Sequence, residues 1–365
     1  MKSSSFDRPH WSREVDIVDE IYESDEFHMP VHYIFSLTHK CNLHCPFCYL
    51  RKIKGEKTMT TDDWLMILDE LPDYARVIMF GGEPLMSDNF DKVYLATATK
   101  YRCSIVTNGT LLTPEKVDLI LSAPRLTDLN VSVDSIGNWN RNFTEADWKQ
   151  LTTGIALFNE KRCDHPAETK LGISVVLLDE TADELFDIHR LAHEELQCDF
   201  VNYCLLNGSP MQMADTMEPF ESLYGEVVPP HYKNWTRILE QIEAIRKYNR
   251  QHEYVAYLRP KIIDMNINKY PTEALHFLNE AHFHQERFGP CKIPWADCRI
   301  QPDGCVTPCL SFPFGNVKDN GSLRSILNSE QAQRFKHEIK QAGFFPQCNR
   351  CVFLYDKQFD RTAIK

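Results

Sequence analysis

Val31-His32-Tyr33-Ile34-Phe35-Ser36-Leu37-Thr38, running into His39-Lys40-Cys41-Asn42-Leu43-His44-Cys45-Pro46-Phe47-Cys48, is the stretch that organises this chain. Its first half is a mostly apolar run of strand length, rich in aromatic and β-branched residues. Its second half places three cysteines within eight residues, directly after that strand. Three thiolates in so short a loop can bind three irons of a cubane cluster. The next cysteine, Cys103, falls on another strand, which leaves the fourth iron open to an exogenous ligand. An open position is the mark of a reactive metal site. Zinc, with His44 as fourth ligand, is the alternative that the spacing leaves.

Outward from this loop, strands and helices alternate. Strands are expected over Val31–Thr38, Ala75–Phe80, Cys103–Thr107, Asp128–Val133, Lys170–Leu178 and Phe200–Leu206. Helices are expected over Asp62–Leu71, Phe90–Lys100, Pro114–Ser122, Glu145–Lys161 and Ala182–Leu196. Thr113 before Pro114 is an N-cap followed by proline at the first helical position. Thr61 before Asp62 and Asp63 puts acid in a first helical turn. The strands read as apolar runs, the pattern of a parallel sheet covered on both faces. Six such units predict an α/β fold, a partial (β/α)6 barrel over residues 31–206, with its site at the C-terminal strand ends.

Residues 1–30 read as an acidic N-terminal extension and 207–287 as a helical bridge. The bridge holds Met211, Met213 and Met217 in a loop, a break at Pro229-Pro230, and an amphipathic helix from Trp235 to about Arg250. Its methionines read as core or lid packing. Residues 288–365 form a small Cys-rich module, interrupted by a helix from Leu323 to about Gln341.

Composition narrows the partners. The formal net charge of -12 argues against a phosphate backbone, because nucleic-acid affinity needs clustered Lys and Arg. The run Arg51, Lys52, Lys54 and Lys57 reads as a solvated loop. No apolar run reaches the roughly 18 residues of a membrane helix, and no signal-peptide stretch is present, so a cytoplasmic location is expected. Thirteen cysteines in a reducing compartment suggest metal ligation rather than disulfides.

Cys41-x3-Cys45-x2-Cys48, with aromatic Phe47 before the last cysteine, resembles the signature of the radical S-adenosylmethionine (SAM) superfamily. The resemblance implies a [4Fe-4S] cluster on Cys41, Cys45 and Cys48 whose open iron chelates SAM. Three further motifs fall at successive strand ends, as in that family. Gly81-Gly82-Glu83-Pro84 is similar to the turn that meets the SAM amine, its glycines allowing close backbone approach. Thr107-Asn108-Gly109 ends the third strand. Ser132-Val133-Asp134-Ser135 ends the fourth and is similar to a ribose- or methionine-facing segment. Gly81, Gly82, Glu83, Pro84, Asn108, Ser132 and Asp134 are therefore the expected SAM-binding residues. For Asn108 and Asp134, local turn bonding is the competing reading.

Six cysteines lie between Cys291 and Cys351, and Ile300 to Cys309 reads as a β-hairpin around Asp303-Gly304. With Cys348-Asn349-Arg350-Cys351, this segment resembles the SPASM or shorter twitch extension of radical SAM enzymes, which binds auxiliary iron–sulfur clusters. Gly304 to Cys309 matches its Gly-x4-Cys element. No cysteine follows Cys351, which departs from the full SPASM pattern. One auxiliary [4Fe-4S] cluster on Cys291, Cys309, Cys348 and Cys351 fits best, with Cys298 or Cys305 as possible replacements; a four-cysteine zinc site is the alternative. Leu310 stands where sulfatase-maturing relatives carry an acidic residue, so that activity is not carried over.

Cys204, near the end of the sixth strand, is the one candidate catalytic residue, as a hydrogen-atom donor; a small core hydrophobe is the competing reading. Asn202 and Tyr203 are weaker SAM contacts. Cys103, Cys163 and Cys198 read as core or surface cysteines, and Trp295 as packing beside the auxiliary site. The resemblance implies an enzyme that cleaves SAM reductively to a 5′-deoxyadenosyl radical, which abstracts hydrogen from a small-molecule or peptide substrate. A flavodoxin or ferredoxin would supply the electron. Only about thirty residues precede the first strand, fewer than a peptide-recognition domain needs. The rival classes are an electron-transfer iron–sulfur protein without SAM chemistry and a zinc-stabilised interaction module.

Overall fold

A computed structural model describes residues 15–48, 50, 58–165, 168–209, 211, 218–259, 289–309 and 311–353. The basic run at Arg51, Lys52, Lys54 and Lys57, two of the bridge methionines (Met213 and Met217) and Leu310 lie outside the described residues.

The six expected strands are all present. They are β1 (His32–Ser36), β2 (Arg76–Phe80), β3 (Arg102–Thr107), β4 (Leu126–Ser132), β5 (Lys170–Leu177) and β6 (Phe200–Leu205). They pair in parallel and in chain order. The sheet continues at both edges. β7 (Val255–Arg259), which the sequence places in the bridge, adds in parallel beyond β6. β8 (Asp297–Ile300), from the Cys-rich segment, adds in parallel beside β1. β8 then turns antiparallel into β9 (Cys305–Thr307), and β10 (Gly315–Asn316) follows. The Asp303-Gly304 turn is as read, with Gly304 in the left-handed region at φ +90°. One sheet thus passes through the barrel, bridge and C-terminal segments.

The helices of the unit are α1 (Val15–Glu23), α2 (Thr61–Glu70), α3 (Phe90–Lys100), α4 (Pro114–Leu121), α5 (Glu145–Arg162), α6 (Leu185–Arg190) and α7 (Trp235–His252). α2 and α5 each start with a capping box, Thr60 with Asp63 and Thr144 with Asp147. α6 runs on through a π-helical turn over Leu191–Glu195. The single helix expected from Leu323 breaks into α8 (Leu323–Leu327) and α9 (Glu330–Ala342), because Ser329 caps a new start by accepting from the Ala332 N–H.

Strand order 1 to 7 never reverses, so right-handed crossovers put the helices of the unit on one face. That corrects the expectation of a sheet covered on both faces. The helix face is apolar: Phe35, Val77, Met79, Ile105, Val131, Ile173 and Val201 are buried there, with Phe35 against the Trp64 ring at 4.9 Å. The opposite, inner face is polar. Arg76 donates to Asp128, Asn130 to Asp128, Asn202 to Asn130, and Arg299 to Ser36. The strands alternate, and the inner face is left for a site.

Candidate metal and SAM centre

The Cys41–Cys48 loop leaves the C-terminal end of β1 and is pinned by its neighbour. Leu37 N–H donates to Phe80 O, Gly82 N–H to Thr38 O at 2.7 Å, and Glu83 N–H to Lys40 O at 2.8 Å. The two glycines permit this closeness. A Cβ on Gly81, at φ +141°, would lie 2.4 Å from Thr38 O, and one on Gly82 would lie 2.2 Å from Lys40 O. These contacts hold the turn close against the cysteine loop's own backbone.

Glu83 is fully buried and braces the neighbouring strand end. Its carboxylate accepts from the Thr107 hydroxyl (2.7 Å), the Asn108 N–H (2.7 Å) and the Leu85 N–H (3.2 Å). Burial pushes its pKa up to about 7, against the pull of those three donors. Pro84 opens the short helical turn that follows.

Asn108, expected to face SAM, points its amide at the cysteine loop, donating to Cys41 Sγ at 3.7 Å and Asn42 Oδ1 at 2.9 Å. Its Oδ1 closes the local turn by accepting from the Thr110 N–H and hydroxyl. Cys41 Sγ also accepts from the Leu43 N–H at 3.4 Å.

Asp134 is fully buried at the end of β4. Oδ1 accepts from the Val176 N–H of β5 at 2.6 Å, and Oδ2 pairs with Arg141 Nε at 2.5 Å. Ser132 O accepts from Asn138 Nδ2 in the same loop. Arg141 is the residue that sequence reading missed. Its Nη1 donates to Cys45 Sγ at 3.9 Å, and its guanidinium lies 5.4 Å from the Phe47 ring centre. Burial opposes its charge, but Asp134 and the Cys45 and Cys48 thiols outweigh it.

Burial raises the pKa of Cys41 and of Cys45; Leu43 and Asn108 offset the first, Arg141 the second. Thiols whose pKa is raised by desolvation become thiolates more readily on a metal cation. Among the described residues no three Cys, His, Asp or Glu side chains gather tightly enough for one ion, and His44 is exposed.

The cysteines of the second expected set lie within electrostatic reach of one another, though among the described residues they do not gather closely enough for one metal ion. Cys309 feels the charge of Cys291, Cys348 and Cys351, and Cys348 feels that of Cys291 and Cys351. Burial first, then these neighbours, push Cys291 up to about 12 and the Cys309 and Cys348 thiols well above the usual range. Cys298 lies apart, buried beside Asp297, Lys336 and Tyr33. Cys305 opens β9, its N–H donating to Asp303. Trp295 packs edge-on against Tyr22 at 4.8 Å, and Tyr22 in turn feels Cys291.

Cys204 is half-buried on the inner face, in register with Val176 and Arg259. Burial raises its pKa, while Arg259 lowers it and Asp134 raises it. Asn202 shares that face, but the Tyr203 hydroxyl points to the helices and bonds His189 at 3.0 Å. Cys103 and Cys198 are buried and Cys163 is exposed.

Comparison with known proteins agrees with this geometry. A model of the radical SAM superfamily matches residues 35–192, and a model of the SPASM family, an iron–sulfur cluster-binding domain, matches residues 291–352. The antilisterial bacteriocin subtilosin biosynthesis protein AlbA of Bacillus subtilis is 25% identical over 349 residues, 90% of this chain and 68% of that protein. An AdoMet-dependent heme synthase of Methanosarcina barkeri is 24% identical over 334 residues, 87% of each chain. The crystal structure of Streptococcus suis SuiB bound to precursor peptide SuiA shares the fold at TM-score 0.60 and 15% identity, covering 93% of this chain and 74% of SuiB. No helix among the described residues is long and apolar enough to cross a membrane. Radical SAM domains carry a [4Fe-4S] cluster with SAM, and SPASM domains carry auxiliary clusters. The chain belongs to the radical SAM superfamily, as an enzyme with a C-terminal SPASM iron–sulfur domain.

Proposed function

We propose that this chain modifies a peptide by SAM-derived radical chemistry, within the cytoplasm. In this reading residues 31–206 hold the reactive cluster, 207–287 are the helical bridge, and 288–365 hold one auxiliary cluster on Cys291, Cys309, Cys348 and Cys351. The observation that carries the chemistry is the Cys41–Cys48 loop, pinned to the Gly82-Glu83 turn and reached at its sulfurs by Asn108 and Arg141. When bound, the reduced cluster and SAM supply a 5′-deoxyadenosyl radical that abstracts hydrogen from the substrate. The protein's own groups do the rest. Asn108 and the Leu43 N–H donate to Cys41, and Arg141 to Cys45, which would ease loss of each thiol proton when a metal cation binds; hydrogen bonds to cluster sulfurs are a lever on potential. Asp134 fixes Arg141 and ties it to β5. Gly81, Gly82, Glu83 and Pro84 fix the loop against which SAM would lie, and Ser132 lines the inner face. Cys204, on that face, is the candidate hydrogen-atom donor. A flavodoxin or ferredoxin would deliver the electron.

The peptide substrate is supported by AlbA, a bacteriocin biosynthesis protein alike over 90% of this chain. A small-molecule substrate is the second reading, supported by the heme synthase, alike over 87% of both chains. Anaerobic incubation with SAM, dithionite and an extract of the native host, read by mass spectrometry, separates them. A host peptide changed in mass, with methionine and 5′-deoxyadenosine formed, is the expected result. A changed small molecule would favour the second reading. SAM left intact would overturn both.

A further inference from the structure

The loop between Cys348 and Cys351 reaches well beyond its own module. Gln347 Nε2 donates to Ser222 O (3.0 Å) and Gly225 O (3.1 Å), and its Oε1 accepts from the Ser209 hydroxyl. Gly208 lies so close to this loop that a Cβ there would sit 2.6 Å from Asn349 O. Arg350 is fully buried and holds φ +56°, a strained conformation for an arginine. Its Nη2 donates to Pro230 O, and its guanidinium stacks over the Tyr232 ring at 4.6 Å. The Tyr232 hydroxyl then bridges two strand ends, donating to Leu177 O of β5 at 2.7 Å and accepting from the Leu206 N–H just past β6 at 2.9 Å.

Those strand ends carry the inner-face groups. Leu206 is two residues past Cys204. Leu177 follows Val176, whose N–H holds Asp134 and through it Arg141. A chain of direct contacts therefore joins the auxiliary cysteine loop to the wall of the barrel mouth.

We propose that Arg350 is a positioning residue: stacked on Tyr232, it holds the 218–232 segment and the ends of β5 and β6 in place from the Cys348–Cys351 loop. This rests on the reading that Cys291, Cys309, Cys348 and Cys351 hold one auxiliary cluster. That cluster, by fixing the loop's backbone, then sets the shape of the substrate side of the mouth. Arg serves here because a planar guanidinium both stacks and donates to a carbonyl; a lysine keeps the charge without the plane.

The test is backbone hydrogen exchange on the anaerobically reconstituted full chain, with iron content and substrate-free SAM cleavage measured alongside. Arg350→Lys should speed exchange at Leu206 and across 218–232 by roughly fivefold or more, the factor carried by one lost hydrogen bond. Iron content and SAM cleavage should stay at wild-type levels. Tyr232→Phe keeps the ring and removes the bridging hydroxyl, so it should speed exchange at Leu206 while sparing the Cys348–Cys351 loop. Cys348→Ala with Cys351→Ala should reproduce the Arg350→Lys pattern while losing the auxiliary iron. Wild-type exchange at Leu206 in both Arg350→Lys and Tyr232→Phe would overturn the proposal. So would loss of auxiliary iron in Arg350→Lys, which would make Arg350 a folding element of the module. Full iron retention in the double cysteine variant would instead overturn the cluster reading on which the proposal rests.

Discussion

Replacing Asp134 by Asn should destabilise the protein by about 3–5 kcal/mol, the usual cost of leaving one member of a buried ion pair without its partner. The structure says why this pair falls in that class. Asp134 is fully buried and the Arg141 side chain is only 12% exposed, with 2.5 Å between Oδ2 and Nε. The Lys100–Asp69 pair, with side chains 49% and 86% exposed and 3.8 Å apart, belongs to the class worth about 0–1 kcal/mol. Asn keeps an oxygen for the Val176 N–H, so the substitution isolates the charge. Asp134→Ala also strands that N–H and should cost about 1–3 kcal/mol more. Asp134→Asn with Arg141→Gln removes both charges and should recover most of the loss, because a buried pair replaced as a unit is often near neutral. At roughly 2–4 °C per kcal/mol for chains of 150–250 residues, and somewhat less for a longer one, Asp134→Asn should lower Tm by about 5–15 °C. Anaerobic thermal unfolding followed by circular dichroism would rank the three variants. A single variant within about 2 °C of wild type, or a double variant no more stable than the single, would refute the reasoning.

Other outcomes follow from the same geometry. Gly82→Ala places a Cβ 2.2 Å from Lys40 O, so the cysteine loop must move; iron analysis should show the first cluster lost and the auxiliary one kept, and full iron would contradict this. Changing Cys41, Cys45 and Cys48 together to Ala should remove about half of an expected total of about eight irons, and iron unaffected by that change would sink the two-cluster reading. His189 is buried between Tyr203 and Asn249, and burial lowers its pKa from 6.5 to about 4. The unfolded chain therefore takes up the proton first. The stability this group contributes is present above pH 6.5 and is lost as pH falls toward 4, a total of about 3 kcal/mol. His189→Gln should flatten the pH dependence of unfolding across that window, and an unchanged slope would count against it.

Much of the barrel could be read from the chain, for a physical reason. Strands with one helix-packed face leave local apolar runs, so β1 to β6 stand within a few residues of their expected ends, and Phe90–Lys100 is a helix over the whole expected span. β7 was missed because Val255-Ala256-Tyr257-Leu258-Arg259 is short and follows a helix ending in a left-handed Glu253, with no turn signal of its own. The break at Ser329 was missed because Leu323, Ile326, Leu327, Phe335 and Ile339 keep one helical period across it. The candidate metal loop was legible because it is local: three cysteines in one loop need no tertiary information. Arg141 is not local. It reaches Cys45 because Gly137, Asn138 and Asn142 all take left-handed conformations, at φ +69°, +51° and +61°, and fold the segment back over the mouth. Glycine and asparagine are the residues that tolerate this, so Gly137-Asn138 and Asn142 were a signal for a doubled-back loop. Its target was not written in them.

The substrate side is hidden by a subtler pattern. Leu129, Val131, Val201 and Tyr203 face the helices, while Asn130, Ser132, Asn202 and Cys204 interleave with them on the inner face. Within a run of seven residues this period of two is easily read as an apolar strand with polar interruptions. Only the register shows that the interruptions from successive strands line up: Ser132 opposite Ser174, and Cys204 between Val176 and Arg259. The chemistry of SAM is carried by loops, which a linear motif can describe. On the function proposed above, the choice of substrate would fall to this composite face, drawn from several strands, with its rim held by Tyr232 and Arg350. On that proposal specificity depends on sheet register and the C-terminal loop together, and changes in either should alter substrate choice while leaving the Cys41–Cys48 loop intact.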